Sequence, residues 1–99
     1  MVIIGTMSFP PEQSKEIGKH FLKLPPLPAY VTMKGPFVSN EVGAGIKVMT
    51  VYEFDQSKTR EATDTVFNRY STFYGVSGFT CSVNIWLETA EALKMIGLA

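Results

Sequence analysis

Two rhythms of apolar residues alternate along this chain, and the pair repeats. Met1 to Met7 holds the run Val2, Ile3 and Ile4 with Thr6, short and apolar in the manner of a central strand. Ser8-Phe9-Pro10-Pro11-Glu12 follows. There Ser8 or a neighbour can cap a helix whose first turn tolerates proline, and Glu12 sits where the helix dipole favours an anion. Ile17, Phe21 and Leu24 fall at helical spacing, and Leu24-Pro25-Pro26-Leu27-Pro28 ends that helix. Tyr30 to Val38 reads as a second strand. Its Gly35-Pro36 step, which removes a ladder donor, assigns it to a sheet edge or to a bulge.

After a Gly-rich turn from Ser39 to Gly45 the order recurs. Gly45 to Phe54 alternates Ile46, Val48, Thr50, Tyr52 and Phe54 with Lys47, Met49, Val51 and Glu53. Asp55 or Ser57 caps a helix to about Phe73, with Ala62, Val66, Tyr70 and Phe73 on one face. Phe79 to Leu87 alternates again, and Thr89 caps a short last helix to about Gly97, with Ala90, Leu93 and Ile96 or Met95 turned inward. A βαββαβ order over residues 1–99 predicts a single α+β domain of the ferredoxin-like kind. Its four antiparallel strands run in the order 4-1-3-2, with both main helices on one face.

The alternation also sorts the strands by face. Ile46, Val48, Tyr52 and Phe54, with Cys81, Val83, Ile85 and Leu87, are assigned beneath the helices. Lys47, Met49, Val51, Glu53, Thr80, Ser82, Asn84 and Trp86 fall on the opposite, open face. Met49, Val51 and Trp86 would leave an apolar patch there unless the last helix or a second copy of the chain covers it.

Composition narrows the partners. Nine basic residues balance nine acidic ones, so charge gives no reason to expect nucleic acid or an anionic membrane. No apolar run approaches a membrane span, and MVIIGTMSF lacks the basic start of a signal peptide, so the expected compartment is the cytoplasm. One cysteine and one histidine supply no metal-ligand spacing, and no cofactor is expected. Cys81 reads as a buried small hydrophobe, and His20 as a boundary residue between Ile17 and Leu24. Gly43-Ala44-Gly45 joins two strands, so it is a turn and not a phosphate loop. The third strand, IKVMTVYEF, presents Lys47, Met49, Val51 and Glu53 where RNA-recognition domains of this topology place aromatic residues.

The element order, the length and the half-apolar open face resemble the dimeric α/β-barrel superfamily, and GTMSFPPE and VYEFD look like a bacterial or archaeal family within it. That resemblance implies a homodimer packed sheet to sheet. It brings in relatives such as antibiotic-biosynthesis-type monooxygenases, muconolactone isomerases and stress-responsive barrel proteins. The expected function is small-molecule binding or sensing in a cavity on the open face. Trp86 would form an apolar wall, Asn84 a hydrogen-bonding group and Glu53 a possible base, with Lys47 and Met49 beside them and Tyr30 or Lys34 at the margin. Two alternatives stand beside it: a cofactor-free oxygenase or isomerase acting on a small hydrophobic substrate, and a purely structural dimerisation module.

Overall fold

The computed structural model describes residues 1–98. Its strands are β1 (Val2–Phe9), β2 (Val31–Glu41), β3 (Gly45–Phe54) and β4 (Thr80–Trp86), and its helices are α1 (Ser14–Leu22), α2 (Thr59–Ser71) and α3 (Thr89–Met95). All pairings are antiparallel and the sheet order is β2-β3-β1-β4, an arrangement compatible with a ferredoxin-like fold. The sequence reading of order and direction holds. β2 lies at the edge, and its register slips between Lys34 and Phe37, around the proline that cannot donate to the ladder.

β1 alternates strictly. Ile3, Gly5, Met7 and Phe9 are buried, and Val2, Ile4, Thr6 and Ser8 are only partly covered. The buried set meets Ile17 of α1 and Ala62, Val66 and Tyr70 of α2, along with Val48, Tyr52 and Phe54 of β3. Both long helices therefore pack on one face of the sheet. Ile3 and Val66 are the large side chains most completely removed from water, each stabilising the fold by roughly 1.5–3 kcal/mol. Ala62, Val66 and Tyr70 of α2, with Phe73 just beyond its end, are all buried, as their spacing predicts.

Three sequence expectations need correction. Cys81 is exposed, and so are Ile85 and Leu87, although the first two face the helix side. β4 is an edge strand, and helices of nine and thirteen residues leave most of it uncovered. Residues of α3 are not turned inward. None is buried, and Leu93, Met95 and Ile96 are all exposed, so this helix does not close over the sheet. The caps also differ. Ser8 belongs to β1 and shares a hydrogen bond with Thr80, while α3 starts at a capping box in which the Glu88 N–H donates to Glu91. Asp55 does act as expected, accepting from the Ser57 N–H and hydroxyl ahead of α2.

Candidate functional site in the cavity beneath the first helix

On the open face, strand register places every predicted residue. Trp86, Val2 and Glu53 form one row, Asn84, Ile4, Val51 and Lys34 the next, Ser82, Thr6, Met49 and Phe37 a third, and Thr80, Ser8, Lys47 and Ser39 the last. The five candidates Trp86, Asn84, Glu53, Lys47 and Met49 thus share a face. They do not share a site. Glu53 and Lys47 lie six residues apart on one strand, about 20 Å at the usual rise.

Their polar groups are also occupied locally. Glu53 pairs with Lys34 at 3.1 Å, the Asn84 amide donates to Ser82 at 2.8 Å, and Lys47 lies 3.9 Å from Glu41. Tyr30 is elsewhere, packed against the core with the Lys58 ammonium over its ring. What remains on the open face is an apolar band of Val2, Ile4, Val51, Met49, Phe37 and Trp86, the last three 43%, 56% and 53% exposed.

A more apolar, partly open space lies on the other side. Between α1 and the helix-facing surface of the sheet is a cavity of about 270 Å³. Its walls are apolar: Met7 and Phe9 from β1, Val48 from β3, Met33 from β2, Ile17 and Phe21 from α1, and Phe73 beyond α2. The volume survives folding because Gly18 presents no side chain to it, and a Cβ built there meets nothing within 4 Å. Phe21, at the rim, is 38% exposed and marks the side on which the cavity opens.

Polar groups reach this space in one cluster. Thr50 of β3, 4% exposed, Tyr52 two residues on along the same face and Tyr70 of α2 all line this space with hydroxyl-bearing side chains. The two tyrosine rings meet edge-on at 6.5 Å. Tyr70 can lie this deep because β1 carries glycine at position 5; a Cβ there would come within 2.5 Å of Tyr70 Cζ. Burial pushes the Tyr70 phenol far above its ordinary value, Tyr52 adds to the rise, and the hydroxyl stays protonated as a hydrogen-bond donor.

Arg69 follows on α2 and also lines the cavity. Its Nη1 donates to the Pro25 carbonyl at 3.0 Å. His20 stands outside, at the boundary expected of it, with Nε2 3.2 Å from Glu16 and its ring 6.0 Å from Phe73. Sequence patterning missed the cavity because its outline depends on the volume left open beside Gly18, and hydropathy carries no signal for that. The sequence offered one hint: glycine in the middle of an otherwise good helix, where it costs about 1 kcal/mol relative to alanine.

Among the described residues no three of His, Cys, Asp or Glu are grouped to hold a metal ion, and no helix is long and apolar enough to cross a membrane. No family model matches the chain, and no curated protein matches it.

Proposed function

We propose that this chain binds a small, largely apolar molecule in the cavity beneath α1, and that it does so as a homodimer joined through the open sheet face. One observation carries the binding reading: an apolar space of about 270 Å³ whose lining includes the hydroxyl-bearing Thr50, Tyr52 and Tyr70. Binding sites have this character, mostly apolar with a few polar groups that fix orientation. An apolar cavity of about 150 Å³ is enough for benzene, so 270 Å³ suits a ligand of about ten or eleven heavy atoms.

The lining favours recognition over turnover. Acid–base chemistry near neutral pH requires a group that exchanges protons there. The cavity walls supply hydroxyls and one guanidinium, and the Tyr70 proton is held by burial. A cofactor-free oxygenase or isomerase is therefore the weaker reading.

The open face serves the dimer. Its apolar band is of the kind that marks an interface on a small protein, α3 leaves it uncovered, and the domain's zero net charge does not oppose self-association. Two such sheets would stack about 10 Å apart, with Trp86 as an anchor at one end.

Calorimetric titration with 3-phenyl-1-propanol tests the binding reading. The wild-type chain is expected to bind it, and Gly18→Leu, which fills the cavity from a position where its Cβ is unopposed, is expected to abolish binding without unfolding the domain. Unchanged binding in that variant would move the ligand site elsewhere.

A further inference from the structure

Resting on the cavity reading above, we infer that the ligand is a small monocarboxylic acid whose carboxylate sits on the Arg69 guanidinium, its apolar body filling the space beneath α1. Arg69 is the one charged side chain among the residues that line the cavity. It also borders two neighbouring pockets formed by Leu24 to Leu27.

Three observations bear on what that guanidinium is for. None of the ion pairs among the described residues involves Arg69, so none of their carboxylates lies within ion-pairing distance of it. Nη1 is anchored on the Pro25 carbonyl, which holds the group in place. Nε is buried and has no acceptor among the described residues. The terminal nitrogens of a guanidinium pair well with carboxylate oxygens.

The chemical class follows from size and charge together. A space for about ten heavy atoms beside a single cation suits a monoanion; a phosphate dianion would call for a second positive group. A ligand with its charge at one end enters tail first, past Phe21 and Leu24, and leaves its carboxylate at the rim. The Tyr70, Tyr52 and Thr50 hydroxyls remain available for a second polar atom on the body of the molecule.

The test compares 3-phenylpropanoate with 3-phenyl-1-propanol at neutral pH, where the acid is ionised. Calorimetry is expected to show the acid binding on the order of tenfold more tightly than the alcohol. Arg69→Gln should remove that difference, and Arg69→Lys should restore only part of it. In proton–nitrogen correlation spectra the Arg69 Nε–H signal should move with the acid and stay still with the alcohol; this readout decides the matter even if the Arg69 variants fold poorly. Equal affinities with an unmoved Nε–H signal would overturn the carboxylate assignment and leave the cavity reading standing. Binding of neither compound would overturn both.

Discussion

The Tyr70 ring lies over the backbone of Gly5, in the space that a side chain at position 5 would need. This contact joins the middle of β1 to the last turn of α2 and sets the Tyr70 ring near Thr50, the ladder partner of Gly5, and against Tyr52. A single methyl at Gly5 must therefore displace the ring or the helix. Gly5→Ala is expected to destabilise the domain by about 2 kcal/mol through overpacking. In a Tyr70→Leu background the same change should cost much less, because the two positions are coupled. Urea denaturation of the four proteins checks this; additive losses would show that the ring and the glycine do not compete for one space.

Gly18 offers the opposite case. It lies within α1, where a Cβ meets nothing within 4 Å. Gly18→Ala is expected to raise stability by about 1 kcal/mol, the difference in helix propensity, while narrowing the cavity only slightly. A thermal melt reads the gain directly. A lower melting temperature would mean that the space above position 18 is already filled.

The buried phenol predicts a loss of stability in alkali. Below pH 10, the ordinary value, Tyr70 is protonated in both folded and unfolded chains. As pH rises past that value the unfolded chain releases its proton while the folded chain, whose phenol is held upward by burial, keeps it. The unfolded state then binds fewer protons than the folded one, so stability falls with increasing pH. Denaturation midpoints measured between pH 8 and about 11 should decline for the wild type and decline less steeply for Tyr70→Phe. Parallel curves would place the Tyr70 hydroxyl in water.

The dimer reading turns on adjacent residues with opposite aspects. Trp86 faces the open side of β4, and Ile85 faces the helix side. In native mass spectra Trp86→Glu is expected to appear as a monomer, since it sets an unpaired charge in a dry interface. Ile85→Glu, a comparably exposed position on the other face, should keep the dimer mass. A dimer that survives Trp86→Glu and dissociates with Ile85→Glu would assign the interface to the opposite side.

Much of the fold was legible because it depends on rules that act locally. Proline at position 36 lacks a ladder donor, which foretells an edge strand or a bulge, and β2 shows both. The alternation from Ile46 to Phe54 sorts two faces, and Ala62, Val66, Tyr70 and Phe73 recur at the period of a helix. The candidate site was less legible. Patterning brought Trp86, Asn84, Glu53, Lys47 and Met49 to one face correctly, yet a face extends over about 20 Å and makes no pocket by itself. The cavity is a difference between what the helices could fill and what Gly18 leaves open, a property of packed volumes. Coverage was equally hidden: Cys81 and Leu93 have apolar neighbours at the right spacing, but whether another element reaches them depends on helix lengths and angles.

The most direct measurement follows the methionine methyl signals of the protein as 3-phenyl-1-propanol is added. Met7 and Met33 line the cavity beneath α1, whereas Met49 stands on the open face. Binding in the cavity predicts that the Met7 and Met33 methyls shift in a saturable way while Met49 stays fixed. Movement of Met49 with Met7 and Met33 unchanged would place the ligand on the open face and contradict the account.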